Sequence, residues 1–261
     1  MHLRGQGVQS ATSEPVQLLW TSGWDSTFRL LVALLVEGRT VQPYYVLDLS
    51  RPSYPTELRT MSRIRAALQT RLADEDQLRA TNITVLSDLP TADRHAARFG
   101  GLKGDGDLGP QYEWLARYAA TLGLDALELC IHKDDRAVPY VQESLEVVAE
   151  EPFRSYRLAP DQRMGDLRLF QRFVFPILDL TKRDMQQAAE RYGFLDLMEM
   201  TWFCHTPVMG RPCGLCNPCR DAVAEGMGHR VPASAHLRRR VHDAVPVARL
   251  KPAVKRLLSM A

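Results

Sequence analysis

The chain has 261 residues, of which 45% are hydrophobic and 25% are charged, and its formal net charge is +2 at pH 7. These values are ordinary for a globular protein with one sizeable domain and a small appendage. The net charge is too small to indicate nucleic-acid binding by itself, and no run of about 18 apolar residues predicts a membrane span. Residues 1–14 are polar, so we expect a loose leader rather than a secretory signal, and a cytoplasmic protein.

Predicted strands and helices alternate along most of the chain. β-Branched and apolar runs predict strands at 17–20, 41–49, 83–86, 125–131 and 168–178. Apolar residues at helical spacing predict helices at 28–35, 56–73, 112–122, 139–149 and 182–192. Thr181 with Asp184 forms a capping-box variant at the start of the last helix, and Gly193 ends it. The alternation predicts an α/β fold, in which helices flank both faces of a parallel, Rossmann-like sheet.

Polar residues follow several of the predicted strands. In parallel sheets, ligands bind beyond the carboxyl ends of the strands, near the point where the strand order reverses. Asp48, His132 with Asp134, and the turn at 176–182 fall at such ends. Residues 99–110 are rich in glycine and aspartate without periodicity, which predicts either a loop that contacts the substrate or a mobile segment.

The segment Gln17–Thr27 (QLLWTSGWDST) predicts a strand, a tight turn and the start of a helix. Free N–H groups and the helix dipole favour an anion at such a start. Gly23 allows close backbone approach, and the hydroxyls of Ser22, Ser26 and Thr27 can donate hydrogen bonds. We interpret the segment as a phosphate-binding loop; the alternative is an ordinary turn with Asp25 or Ser26 as the helix N-cap.

Four of the five cysteines form the pattern C-x8-C-x2-C-x2-C: Cys204, Cys213, Cys216 and Cys219. Without a secretion signal, such a cluster favours a metal over disulfides. Four thiolates suit tetrahedral Zn²⁺ and leave no open coordination position, so we expect a structural zinc ion. An iron–sulfur cluster and redox-active pairs are the alternatives. We expect Cys130, which stands alone in an apolar run, to be buried.

Three segments resemble known families. Thr21-Ser22-Gly23-Trp24-Asp25-Ser26 resembles the pyrophosphate loop of the ATP-pyrophosphatase (PP-loop) superfamily, usually Ser-Gly-Gly-x-Asp-Ser, with Ser22 at the first glycine. The turn at 175–182 (FPILDLTK) and the cysteine-containing segment at 201–220 resemble the 7-cyano-7-deazaguanine synthase family. Together with the strand order, the resemblance covers most of residues 15–227.

The resemblance implies an adenine nucleotide alpha-hydrolase-type fold and an ATP-dependent C–N ligase, or nitrile-forming synthase, of queuosine biosynthesis. Such an enzyme uses ATP with Mg²⁺ to adenylylate the carboxylate of a 7-deazaguanine. It captures ammonia to form an amide, which is activated again and dehydrated to a nitrile.

The resemblance and the strand ends together suggest a role for each candidate residue. The catalytic candidates are Asp25, which would orient the loop or Mg²⁺, Ser26, and Lys182, which would neutralise phosphate charge. The candidates for ATP and pyrophosphate binding are Thr21, Ser22, Gly23, Trp24, Asp25, Ser26, Thr27 and Asp48. The candidates for binding the base are Tyr54, Glu57, His132, Thr201, Trp202 and Phe203.

The sequence also departs from the family pattern. In the family's Gln-Arg-His-x-x-Glu-Leu segment, Glu57 and Leu58 are kept but Tyr54 replaces the histidine, and a Tyr-Pro-Asp-Cys-Arg segment has no clear counterpart. These changes spare the ATP end and fall where the acceptor would bind. One alternative is therefore a paralogue that joins a deazaguanine to another molecule in a defence or natural-product pathway. Others are a non-catalytic zinc- and nucleotide-binding module and an RNA-modifying PP-loop enzyme.

We expect three regions: an ATP-binding α/β domain at 15–195, a four-cysteine zinc-binding segment at 196–228 and a basic helical tail at 229–261. The tail contains eight arginines or lysines and one acidic residue, Asp243. We expect it to pack on its own domain or on a second subunit of a homodimer. Contact with RNA, a membrane surface or a protein partner is the alternative.

Overall fold

The structure is a computed structural model that describes residues 14–90 and 111–244. The predicted leader, the loop predicted at 99–110 and the tail beyond residue 244 lie outside the described residues. Within the described residues, the sheet unit comprises residues up to 50 and residues 57–202, and the cysteine unit comprises residues 51–56 and those from 203 on. The three-region division predicted from the sequence stays a prediction.

Seven strands and eight helices make up the regular structure of the described residues. The strands are β1 (Val16–Leu19), β2 (Val41–Leu47), β3 (Asn82–Val85), β4 (Leu127–Glu128), β5 (Leu145–Ala149), β6 (Ser155–Leu158) and β7 (Phe173–Phe175). The helices are α1 (Trp24–Leu31), α2 (Tyr54–Leu68), α3 (Gln111–Thr121), α4 (Val138–Val141), α5 (Lys182–Arg191), α6 (Leu195–Glu199), α7 (Asn217–Ala224) and α8 (Ala233–Ala244).

One mostly parallel sheet organises the sheet unit, and helices flank it. Its strand order is β3-β2-β1-β4-β7-β6-β5. Neighbouring strands from β3 to β7 in this order are parallel. Strand β6 is antiparallel to β7, and β5 is antiparallel to β6. The α/β class is thus confirmed, and the mostly parallel sheet is compatible with a Rossmann-like fold. The two antiparallel strands at one edge of the sheet were not predicted.

The reversal of strand order falls between β1 and β4. From β1 the chain moves outward through β2 to β3, and it then returns to place β4 on the other side of β1. Leu18 of β1 pairs with Glu128 of β4, and Leu127 pairs with Phe173 of β7. The segments that leave β1 and β4 therefore diverge, which opens the edge of the sheet where Rossmann-like folds bind ligands.

Apolar side chains bury the central strands. Leu19, Leu127 and Phe175 belong to a core cluster that also includes Tyr118 of α3. Phe28 of α1 packs against Phe194, with 6.0 Å between ring centroids. Strands covered in this way read as continuous apolar runs, which explains why β1 and β2 were visible in the sequence.

The region between residues 139 and 178 corrects two predictions. The helix predicted at 139–149 is a single turn, α4, followed by β5; the β-branched Val147 and Val148 suit the strand that pairs with β6. The strand predicted at 168–178 begins only at Phe173, because residues 165–170 form a 3₁₀ helix that buries Phe170. The short, polar β6 carried no clear sequence signal.

Among the described residues, no helix is both long and apolar enough to cross a membrane.

The predicted cap of α5 is confirmed. The Thr181 hydroxyl accepts a hydrogen bond from the Asp184 N–H at 3.2 Å, and the Asp184 carboxylate accepts one from the Thr181 N–H at 2.9 Å. The hydrogen bonds from Thr181 lower the pKa of the Asp184 carboxyl below its usual value. The cap fixes the start of the helix whose first residue is Lys182.

We expect Asp184→Ala to lower the free energy of unfolding at pH 7 by roughly 0.5 kcal/mol, the size typical of an exposed charge at a helix N-terminus. Because folding lowers this pKa, the contribution is present above the unfolded pKa and disappears as the pH falls through the folded value. Urea denaturation at neutral and strongly acidic pH measures the change. Gln187→Ala, on the exposed side of the same helix, is the control. An equal effect of Asp184→Ala at both pH values would contradict this explanation.

Candidate functional site

The loop after β1 holds its own shape through its hydroxyl groups. The Trp20 indole N–H donates to the Thr27 hydroxyl at 3.0 Å, and the Thr21 N–H donates to the Ser26 hydroxyl at 3.2 Å. Thr27 is fully buried and Ser26 nearly so. These two hydroxyls therefore close the loop onto the first turn of α1.

Helix α1 begins at this loop without a side-chain cap. Gly23 is its N-cap, in an extended conformation, and none of the described side chains bonds to the cap position. The alternative in which Asp25 or Ser26 caps the helix is thus wrong. The N–H groups at the helix start lack the side-chain acceptor that usually satisfies one of them, so they can receive an anion.

Ser22 adopts a left-handed backbone conformation, with φ of 59°. Glycine favours this region, so Ser22 has a backbone conformation that glycine usually provides. The Ser22 carbonyl accepts a hydrogen bond from the Trp202 N–H at 3.0 Å. Its side chain is fully buried, and its hydroxyl oxygen has no hydrogen-bond partner within the described part of the chain.

Three charged or titratable side chains meet beside this helix start. Asp25 lies in the first turn of α1, His132 follows β4 and Lys182 follows β7. The Lys182 ammonium donates to Oδ1 of Asp25, and Nδ1 of His132 lies 3.9 Å from Oδ2 of the same carboxylate. His132 is buried, whereas Asp25 and Lys182 are partly exposed. We call these three residues the Asp25 cluster.

Two other candidates have local roles within the sheet unit. Asp48 accepts hydrogen bonds from the N–H and the hydroxyl of Ser50 at 2.9 and 2.6 Å, as in a turn. Glu57 is buried and accepts a hydrogen bond from the Tyr45 hydroxyl at 2.7 Å. Their contacts account for local folding and do not by themselves indicate ligand binding.

The remaining candidates for binding the base fall in both units. The buried Thr201 hydroxyl donates to the Met198 carbonyl at 2.7 Å, and Trp202 is tied to the loop at Ser22. In the cysteine unit, the Arg230 guanidinium lies 5.2 Å from the centre of the Phe203 ring, while Tyr54 is the first residue of α2. Of the candidates that belong to the sheet unit, His132 approaches Asp25 of the loop and Trp202 bonds to Ser22 of the loop.

A buried ion pair next to the loop went unnoticed in the sequence. Arg29 of α1 donates two hydrogen bonds to the Glu128 carboxylate of β4, at 2.7 and 2.9 Å, and it also pairs with Glu37. Burial lowers the pKa of Arg29, but the charges and hydrogen bonds of Glu128 and Glu37 outweigh burial and raise it. The available signal was one charged residue within each of two apolar runs.

Cys130 lies between Glu128 and His132 along the chain. It is partly buried, where the sequence predicted a buried residue. Burial raises the pKa of its thiol well above the usual value, and the charges of Glu128 and Asp25 act in the same direction. The group therefore remains a neutral thiol at pH 7 and lacks the thiolate character of a nucleophile.

The four clustered cysteines converge in the cysteine unit. Their sulfur atoms all lie within 4.8 Å of one another, and the Cys213–Cys219 and Cys204–Cys216 sulfurs are each 3.8 Å apart. Metal–sulfur bonds of zinc length in a tetrahedron place sulfurs about 3.8 Å apart. These cysteines can bind a metal ion, and their geometry is compatible with zinc.

Backbone amides surround the Cys213 sulfur. The N–H groups of Leu215 and Cys216 both donate to it at 3.3 Å, and the Thr206 hydroxyl donates at 3.2 Å. These hydrogen bonds lower the pKa of the Cys213 thiol, against the effect of burial. The turn thus favours the deprotonated form, which is the form that binds a metal.

Helix α8 packs on this turn. The Arg238 guanidinium donates to the Cys213 carbonyl at 2.6 Å, and Ala235 is fully buried. Gly214 has a φ of +79°, and a Cβ added there would lie 2.6 Å from the Ala235 carbonyl oxygen. The described part of the basic tail therefore packs within the cysteine unit, and only glycine fits at position 214.

The comparisons with known proteins add no relative. A scan of protein-family models finds no match to this chain, and a search of the curated proteins finds no match either.

We expect Cys216→Ser to abolish retention of a metal ion, because three remaining sulfurs cannot complete the tetrahedral set. The measurement is the metal content of the purified protein after dialysis against a chelator, which should be about one ion per chain in the unsubstituted protein. Cys130→Ser, outside the cluster, should retain the ion. Equal metal content in both variants would contradict the assignment.

We expect Gly214→Ala to lower the melting temperature and to speed the loss of metal to a chelator, because the added methyl group collides with the backbone of α8. Gly210→Ala is the matched control, since Gly210 has a φ of +73° but open space around its Cα. Both substitutions carry the left-handed strain of roughly 1 kcal/mol, so their difference isolates the collision. Identical melting temperatures would show that α8 does not pack on the turn.

Proposed function

We propose that the chain is an ATP-dependent enzyme that transfers AMP to the carboxylate of a 7-deazaguanine-type substrate. The observation that carries the nucleotide part is the position of the Asp25 cluster at the uncapped start of α1. This position is the reversal point of a Rossmann-like sheet, where such folds bind nucleotides. The acceptor is proposed from the sequence resemblance alone.

The chemistry explains why such a loop is needed. A carboxylate is a poor electrophile, because substitution at its carbon must expel an oxide. Attack of the carboxylate oxygen on the α-phosphorus of ATP breaks the bond to pyrophosphate and forms an acyl adenylate, whose AMP is a good leaving group. Negative charge builds up on the departing pyrophosphate, so the protein contributes mainly positioning and charge neutralisation.

Each part of the site has a role in this step. The N–H groups at the start of α1 would hold phosphate oxygens, and the Lys182 ammonium would neutralise their charge. Asp25 is the carboxylate of the cluster that suits Mg²⁺, which supplies further neutralisation when it is bound with ATP. Ammonia would then attack the acyl adenylate to give an amide and release AMP.

We also propose that the metal of the cysteine unit is a structural Zn²⁺ ion. Four sulfurs fill a tetrahedral site and leave no position for a water molecule or a substrate. Their mutual distances suit one ion, whereas a cluster of two or four irons would distribute the cysteine sulfurs over different irons and hold some of them farther apart. The ion would thus fix the turn and α8 rather than take part in the reaction.

The test is the conversion of ATP to AMP and pyrophosphate with 7-carboxy-7-deazaguanine, with its amide, and without an acceptor. We expect pyrophosphate release that depends on the acid and ammonia, with the amide or the nitrile as product by mass spectrometry. Turnover with neither the acid nor the amide would overturn the substrate class.

In this assay, Asp25→Ala and Lys182→Ala should each reduce pyrophosphate release by at least about a hundredfold, because both act on phosphate charge. Arg183→Ala, the exposed neighbour of Lys182 on α5, should stay within about twofold of the unsubstituted enzyme. If Asp25→Ala keeps full activity, the loop is not the site of the reaction. If the unsubstituted protein forms no AMP with any of the acceptors, a non-catalytic nucleotide-binding module is favoured.

A further inference from the structure

We infer that the Arg29–Glu128 ion pair is a positioning device that holds Asp25 of α1 against His132 beyond β4. The inference rests on the proposed function, because the Asp25 cluster is the proposed reaction site. It assigns a role to two residues that lie outside the Asp25 cluster.

Two pairs of side chains join α1 to the segment that starts with β4. Asp25 precedes Arg29 by four residues, so both side chains lie on one face of α1. Glu128 precedes His132 by four residues along the segment that runs from β4 to the cluster. Arg29 contacts Glu128, and Asp25 approaches His132. The ion pair is therefore the link nearer the sheet, and the proposed reaction site is the link farther from it.

Between the two links, the backbone of this segment pairs with β7 and with residues that follow β7, not with β1. Strand β4 contains only Leu127 and Glu128, and beyond them the Leu129 N–H still bonds to the Val174 carbonyl of β7. The next backbone bond is local, from the Ile131 N–H to the Leu129 carbonyl, and the Lys133 N–H then donates to the Leu180 carbonyl at 3.0 Å. Regular pairing with β1 thus ends at Glu128, and the side chain of that residue links the end of β4 to α1.

The pair is also rigid. Both side chains are buried, with 7% and 10% of their surface exposed, and the contact has two parallel hydrogen bonds. A bidentate pair between a guanidinium and a carboxylate fixes orientation as well as distance. A displacement of about 1 Å in a reaction site can cost about a hundredfold in rate, so this rigidity matters at Asp25.

The alternative is that the pair only stabilises the fold. Replacing both members of a buried ion pair by apolar residues often leaves stability unchanged or raises it, whereas removing one member destabilises strongly. The double variant Arg29→Met/Glu128→Leu therefore separates the two roles. Glu37, which loses its contact with Arg29 in this variant, lies 3.8 Å from Arg39 in the unsubstituted protein.

The experiment has three measurements: the melting temperature, the chemical shifts of the His132 imidazole at fixed pH, and the affinity for inorganic pyrophosphate by calorimetry. The His132 signals are assigned by their loss in His132→Gln. The matched control is Arg157→Met/Glu146→Leu, which removes an exposed ion pair of 2.7 Å between β5 and β6.

We expect the Arg29/Glu128 double variant to melt within about 5 °C of the unsubstituted protein. Its His132 signals should shift, and its affinity for pyrophosphate should fall by about tenfold to a hundredfold. The control should change neither the signals nor the affinity. Unchanged His132 signals and unchanged affinity in the double variant would overturn the inference.

The measurements also separate this inference from the proposed function. If the unsubstituted protein binds no pyrophosphate but the His132 signals shift in the double variant, the positioning role holds and the proposed function fails. If the double variant does not fold, Glu128→Gln is used, since it keeps the shape and removes the charge. Shifted His132 signals in that variant support the inference, and unchanged signals overturn it.

Discussion

A guanidinium and a carboxylate buried together constrain the centre of this protein. Arg29 and Glu128 have both left water, and each would be costly to bury without the other. Helix α1 and strand β4 must therefore meet in one register, with Leu18 of β1 opposite Glu128. The loop between β1 and α1 then has a defined position relative to the segment that follows β4.

The Arg29–Glu128 ion pair also bears on how this edge of the sheet can form a well-ordered site. At a reversal of strand order, the segments leaving two adjacent strands diverge, and that divergence opens the space a ligand needs. It also ends the pairing of β4 with β1 before His132 is reached. The Arg29–Glu128 ion pair, one turn before the Asp25 cluster, links α1 to β4 at this point. Arg29 does not attract an anionic ligand away from the cluster, because Glu128 and Glu37 already neutralise its charge.

The sequence predicted the parts of the fold that depend on local patterns. Apolar runs identified β1 and β2, helical spacing identified α2 and α3, and the Thr181–Asp184 cap was found because its hydrogen bonds join residues three apart. The β5–β6 hairpin was not found. Its stability comes from pairing at the sheet edge, and a strand as short as Ser155–Leu158 has no period of its own to recognise.

The cysteine cluster and the Asp25 cluster also differ in how far local sequence patterns predict them. Three of the clustered cysteines lie close together in the sequence, in the turn before α7 and in the first turn of that helix, so spacing alone predicted that their sulfurs would meet. Lys182 and Asp25 are 157 positions apart, and Arg29 and Glu128 are 99 apart. The first pair was foreseeable, because the carboxyl ends of parallel strands share one edge of a sheet and both residues follow strands. Arg29 and Glu128 lie within a helix and a strand. A single charge in an apolar run indicates that the residue has a partner, but it does not identify the partner. Only the three-dimensional register of α1 on β4 identifies Glu128, and for that reason the residues that orient a site are harder to predict than those that line it.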